Sequence, residues 1–124
     1  MRHKLALMLF MATGPALAAS FDCTRAAPQV ENQICANALL RKLDQAMNDN
    51  YRGAQATDIG RQARRDLELT QKRWLQERNR CKTDACIESS YRKRIDALCE
   101  YPAVSGVNWG CVSTSDDHPN PPSP

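Results

Sequence analysis

The sequence predicts an all-α protein: a small disulfide-linked helical hairpin or bundle of two long helices and a shorter third, with a short N-terminal helix and an irregular C-terminal tail. Three observations predict this. Apolar residues recur at steps of three, four or seven across residues 40–54, 63–81 and 87–98, the period of an amphipathic helix and not the alternation of a strand. The composition after residue 100 turns to Pro, Ser, Gly and Asn, which supplies turns in place of a further helix. Six cysteines fall in a 124-residue chain, an even count that reads as a disulfide framework when the chain is exported.

Export is read from the first residues. Arg2 and Lys4 form a positive start, Leu5 to Met11 an apolar run, Gly14-Pro15 a break, and Ala16-Leu17-Ala18 a small-residue cleavage site. Residues 1–18 are therefore expected to be a secretory signal peptide, with a periplasmic or secreted product. The apolar run is much shorter than the roughly 20 residues of a spanning helix, so no membrane span is expected. Ser20-Phe21-Asp22 stands between the small residues and Cys23, so no lipid anchor is expected either. Loss of Arg2 and Lys4 leaves 15 basic against 14 acidic residues. A near-neutral chain offers no surplus of cations to neutralise phosphates, so no nucleic-acid partner is expected.

Taken in order, Phe21 to Cys35 is short and polar, with Pro28 placed to open a brief helix over 28–35. A Cys23–Cys35 bridge would close that turn against the preceding segment and contribute about 3 kcal/mol on a chain-entropy model. Asn37 is an N-cap type, followed by Leu40, Leu43, Met47, Tyr51 and Ala54 on one face of a long helix. Gly53, Thr57 and Asp58 mark a short connection, with Thr57 and Asp58 as caps for the next element. Short connections make antiparallel neighbours. The second long helix runs from about 59 to 80, burying Ala63, Leu67, Thr70, Trp74 and Cys81 and leaving Arg64, Arg65, Glu68, Lys72 and Arg73 to solvent. Glu68 and Lys72 have the favourable i,i+4 order.

Cys81 and Cys86 fix where that helix ends. Five residues of continuous helix advance about 7.5 Å, beyond the ~7 Å reach of a disulfide between Cα atoms, so their bond requires a break. Thr83 and Asp84 are N-cap types. Ile87, Tyr91, Ile95 and Leu98 then line a third helix over about 84–99, with Arg92, Lys93, Arg94 and Asp96 largely outside the stripe. Tyr101-Pro102 ends it, Gly106 and Gly110 allow turns, and Cys111 folds the chain back onto Cys99. Residues 118–124 hold four prolines, and disorder is expected beyond Cys111. The organisation expected is thus a signal peptide over 1–18, a helical domain over 19–100 and a Pro-rich tail over 101–124. The three expected bridges, Cys23–Cys35, Cys81–Cys86 and Cys99–Cys111, are one of 15 connectivities open to six cysteines.

Phe21-Asp22-Cys23, Val30-Glu31, Ile34-Cys35, Leu43-Asp44, Tyr51, the run Gln71-x-x-Trp74-Leu75-x-x-Arg78-x-x-Cys81, Cys86 and Tyr91-x-x-Arg94-Ile95 together resemble the LprI-like family of exported bacterial proteins. The resemblance covers residues 21–98. It implies a helical, disulfide-linked envelope protein, and it implies inhibition of lysozyme, the function attached to the family's name. The family's namesake is a lipoprotein, and this chain lacks its lipobox. Gln71, Trp74, Leu75, Arg78 and Tyr91 read as a structural signature, since a small core needs such residues.

The chemistry of the chain points away from catalysis. Past residue 18 its one histidine, His118, lies in the Pro-rich tail, and there is no Ser-His-Asp set, phosphate-binding loop or H-E-x-x-H. No C-x-x-C pair is present, so neither a metal nor another cofactor is expected. Asp66 with Glu68 and Asp84 with Glu88 lie on charged helical faces, where solvation is the ordinary reading. Tyr101 and Trp109 lie in a Gly-containing, disulfide-closed loop of the kind that presents a binding surface; the alternative is that Trp109 covers the open end of the core. The function expected is a binding protein whose partner is a lysozyme-type hydrolase. The alternative is a structural or accessory component of the envelope, for example of a secretion machine.

Overall fold

The computed structural model describes residues 21–25, 27–106 and 109–117. Four α-helices carry them: α1 Gln29–Ala36, α2 Ala38–Ala56, α3 Arg61–Arg78 and α4 Asp84–Leu98, followed by a 3-10 turn, Thr114–Asp117. No strand occurs among the described residues. The signal peptide read over 1–18 and the tail from His118 to Pro124 lie outside them.

Local chemistry sets most helix boundaries. Asn37 ends α1 in an extended conformation and caps α2, its side-chain oxygen accepting from the N–H groups of Leu39 (2.9 Å) and Leu40 (3.2 Å). Thr83 caps α4 by accepting from the N–H of Cys86 (3.2 Å). The start of α3 departs from expectation. Its N-cap is Gly60, with a positive φ of 85° and no side-chain cap. Thr57 instead closes α2, its hydroxyl donating to the Gly53 carbonyl (2.8 Å), and Asp58 accepts from the N–H of Gly60 (3.1 Å). The left-handed turn at Gly60 moves the helix start beyond the reach of both caps.

The packing is organised around α4. Its Ile87, Tyr91, Ile95 and Leu98 are buried against Leu40, Leu43 and Met47 of α2, Val30 and Ile34 of α1, and Leu67 and Trp74 of α3. The short 57–60 connection reverses the chain, but α2 takes α4 as its main partner and meets α3 only lightly. Between α2 and α3 lies an open groove of about 540 Å³ lined by residues that include Met47, Tyr51, Glu68, Gln71, Lys72 and Leu75. The reason is visible in the stripe of α3: two of its four buried positions are the polar Gln71 and Arg78, which leaves little apolar surface to cover α2.

Three other expectations are corrected. Arg94, expected outside the stripe of α4, is 7% exposed, because Gln71 and Thr70 of α3 accept from its guanidinium (2.9 and 3.3 Å). Arg64, expected in solvent, is half-buried and donates to the carbonyls of Gln55 and Thr57, fastening the start of α3 to the end of α2. Glu68 and Lys72 do not form an ion pair; the pairs among the described residues are Arg25–Asp22, Arg78–Glu31 and Arg92–Glu88.

Disulfides join Cys23 to Cys35, Cys81 to Cys86 and Cys99 to Cys111, with Cα separations of 5.7, 5.5 and 5.5 Å. The first ties the leading segment to the end of α1, the second spans the break between α3 and α4, and the third holds the C-terminal loop to the end of α4. Order continues past Cys111, where disorder was expected. Asn50, 3% exposed, accepts from the N–H of Val112 (3.1 Å) and donates to its carbonyl (2.8 Å). Asp96 accepts from the Ser113 hydroxyl and from the N–H and hydroxyl of Thr114 (2.8–2.9 Å). These two polar anchors replace the apolar contacts that the segment's composition lacks.

Candidate functional site

Three regions carry the residues that sequence reading singles out. The first is interior. Arg78, 2% exposed, has its guanidinium carbon 5.6 to 5.9 Å from the ring centroids of Phe21, Trp74 and Tyr91, a cation enclosed by three aromatic faces. It donates to the Tyr91 hydroxyl (2.9 Å), which donates to the buried Asp44 (2.8 Å). Glu31 lies 3.8 Å away. Burial, with the Asp44 charge beside it, pushes the Tyr91 phenol well above its ordinary value, so Tyr91 keeps its proton and remains a donor. Trp74 packs edge-on against Tyr91 at 5.2 Å and donates its indole N–H to the Ser90 carbonyl (3.1 Å). A second chain runs from the interior at Met47 through Gln71 and Arg94 to Thr70, Tyr101 and the exposed Asp66. Burial lowers the pKa of Arg94, opposed by Tyr101, Tyr51 and Asp66.

Gln71, Trp74, Arg78 and Tyr91 are thus brought together inside the molecule, and Leu75 is half-buried beside them. Apart from one Arg94 nitrogen, the side-chain polar groups of these two networks are bonded. Asp44, Asn50 and Arg94 are interior residues that sequence reading missed. The signal was present in their spacing, since 40, 43, 44, 47 and 50 in α2, and 87, 91, 94, 95 and 98 in α4, each fall on one helical face when polar residues are admitted to it.

The second region is the loop after α4. Trp109 is half-buried and lies over Gly53, where a Cβ would come within 2.6 Å of its ring. Its indole N–H donates to the Tyr101 carbonyl (2.9 Å), and the Tyr101 hydroxyl donates to Asp66 (2.6 Å). Burial and the Asp66 hydrogen bond raise the Tyr101 pKa. The two aromatics meet, but as struts holding the loop to α2 and α3. A cavity of about 310 Å³ opens beside them, lined by residues that include Pro102, Ala103, Gly106 and Cys111.

The third region is the outward face of α3, where Arg65, Leu69, Lys72 and Arg73 are exposed and Leu69 is 62% accessible. Among the described residues, no group of three or more His, Cys, Asp or Glu side chains is placed to hold a metal, and no helix is long and apolar enough to cross a membrane.

Four helices locked by three disulfides around an aromatic-caged arginine define a class: a small, cross-linked helical protein of the kind found in oxidising compartments. The particular family follows from comparison. The family model described as lysozyme inhibitor LprI matches residues 23–101, and the chain belongs to that family. No curated protein and no solved structure matches the chain.

Proposed function

We propose that this protein is an exported inhibitor of lysozyme-type peptidoglycan hydrolases, acting by direct binding without chemistry of its own. The observation that carries the reading is membership of the lysozyme inhibitor LprI family over residues 23–101. Support for export comes from the leader-like residues 1–18 and from three disulfides, which persist where thiols are not kept reduced. Tyr101 and Trp109 enter the proposal as the residues that shape the C-terminal loop, since the Tyr101 hydroxyl is bonded to Asp66 of α3, the Trp109 indole N–H to the Tyr101 carbonyl, and the Trp109 ring lies over Gly53 of α2.

The test is a lysis assay. Purified oxidised protein, added at micromolar concentration to several lysozyme types acting on a cell-wall suspension, should slow clearing in at least one case, and the protein should bind that enzyme in solution. No slowing with any type would leave a structural or accessory envelope role in its place.

A further inference from the structure

We infer that the outward face of α3 is the inhibitory surface, and that its occupant is the carboxylate-lined cleft of a glycan-cleaving hydrolase; this rests on the inhibitory reading above. Arg65, Leu69 and Arg73 step by four along one face of α3, each about 6 Å above the last, with Lys72 beside them and Arg61 at the start of the helix. Arg80 follows just past its end. All six side chains are exposed. None of the five cations forms an ion pair among the described residues. Of the acidic residues of α3, Asp66 is engaged by Tyr101, Glu68 lines the groove toward α2 together with Lys72, and Glu77 stands one further step of four past Arg73, at the C-terminal end of the row.

Two features distinguish this stripe from an ordinary solvated face. An ordinary face mixes charges of both signs in i,i+4 pairs, whereas here the exposed Leu69 has a cation at the step of four on either side, Arg65 and Arg73. Neither is in an ion pair among the described residues, Arg65 donating only to the neighbouring Gln62 side chain (2.6 Å). The helix also starts against its own dipole, with Arg61 and Arg64 in its opening turn, Arg65 just after, and no acidic residue there; cations at a helix N-terminus are disfavoured. Arg64 is explained by its bonds to the end of α2; among the described residues Arg61 and Arg65 make no hydrogen bond to another helix that offsets the cost, and charge complementarity to a partner accounts for them. Glycan-cleaving hydrolases hold two carboxyl groups about 5 to 10 Å apart across the scissile bond. Arg65 and Arg73, roughly 12 Å apart along the axis and long enough to converge, match that spacing with Leu69 between them. The near-neutral chain lacks a long-range field of its own, so the attraction is local to the cleft.

The experiment compares wild type, Arg65→Glu/Arg73→Glu, and a control pair on other helices, Arg52→Glu/Lys93→Glu, both of whose positions are exposed. Helicity of each is checked by circular dichroism. The α3 pair is expected to raise the concentration for half-inhibition about tenfold or more with helicity unchanged, the control pair is expected to leave it within about twofold, and a chito-oligosaccharide filling the cleft is expected to displace the wild type. Full inhibition by the α3 pair, or binding indifferent to the oligosaccharide, overturns the inference while the inhibitory reading stands. Sedimentation of wild type with enzyme-free cell walls, lost in the α3 pair, would overturn it by making an anionic wall polymer the occupant. A wild type that inhibits nothing removes the inhibitory reading and this inference with it.

Discussion

The two faces of α3 use the same residue types for opposite ends. On the inner face Arg78 is enclosed by Phe21, Trp74 and Tyr91 and bonded to Tyr91, and Gln71 is bonded to Arg94. On the outer face Arg65, Lys72 and Arg73 flank Leu69 with no ion-pair partner among the described residues. Most of the residues that carry the family resemblance are buried or half-buried, so they specify a scaffold. What such a scaffold binds has to be read from residues outside that signature. A buried guanidinium specifies geometry because every lost hydrogen bond is costly in a low dielectric; an exposed one costs little to change and is free to serve a partner.

The largest break in this comparison is expected at the inner face. Arg78→Ala removes the centre of the aromatic cage and the donor to Tyr91, leaving a void between α3, α4 and Phe21. Loss of a buried, hydrogen-bonded charge with its packing should cost about 3 kcal/mol, measured as a lower denaturant midpoint in oxidised protein. A loss below about 1 kcal/mol would mean that the cage is loosely formed. Gln71→Ala is expected to cost less, about 2 kcal/mol, because it strips Arg94 of its Nε acceptor while Thr70 still accepts from Nη1. Arg94 already has one buried nitrogen without a partner, so it has little tolerance for losing another. Restoration by Gln71→Glu, which supplies an acceptor and a counter-charge, would confirm that Arg94 is what Gln71 serves.

These interior pairings mark where the sequence stops being legible. The helices follow from apolar spacing: Leu40, Leu43 and Met47 place α2, and Ile87, Tyr91, Ile95 and Leu98 place α4, within a residue or two of the observed ends. The break between Cys81 and Cys86 follows from helix rise alone. Burial of Arg94 does not follow, because an arginine on a core stripe looks like one on a solvent face until Gln71, 23 residues earlier, is known to meet it. Gly53 was legible only as a helix-ending signal, whereas it lies inside α2 to admit Trp109, 56 positions on in the chain. Asn50 likewise gains its meaning from Val112. Each of these depends on a long-range polar or close-packed pair, and periodicity reports only which face a residue is on.

Between the two faces in sensitivity stands the anchored segment after Cys111, which acid should loosen. Burial pushes the Asp96 carboxyl up, but hydrogen bonds from the Thr114 N–H and hydroxyl and from the Ser113 hydroxyl outweigh it, and its pKa is lowered. A carboxyl lowered in the native state contributes stability that is full above its unfolded pKa and fades as pH falls through the native one. Below the ordinary aspartate range, amide exchange at Thr114 should therefore accelerate ahead of exchange in α4. Asp96→Asn should remove most of that pH dependence. Equal acceleration of Thr114 and the α4 core would show that the segment has no separate anchor.

The smallest expected effect on stability has the opposite sign, and it lies on the outer face. Arg61 is the first residue of α3, where the helix dipole is positive and no side chain caps the N–H groups. Arg61→Glu places a negative charge there, worth about 0.5 kcal/mol, and sets a carboxylate four residues ahead of Arg65 in the favourable order, worth roughly another 0.3 kcal/mol. The melting temperature should rise by about 3 to 5 °C. Inhibition should weaken in the same variant, because the new carboxylate neutralises Arg65 and opposes a carboxylate-lined cleft. That combination separates a binding surface from a structural one: a residue retained for the fold loses stability when changed, whereas Arg61 should gain stability as it loses function. A variant that melts higher and inhibits as well as wild type would leave Arg61 outside the contact and confine the surface to Arg65, Leu69 and Arg73.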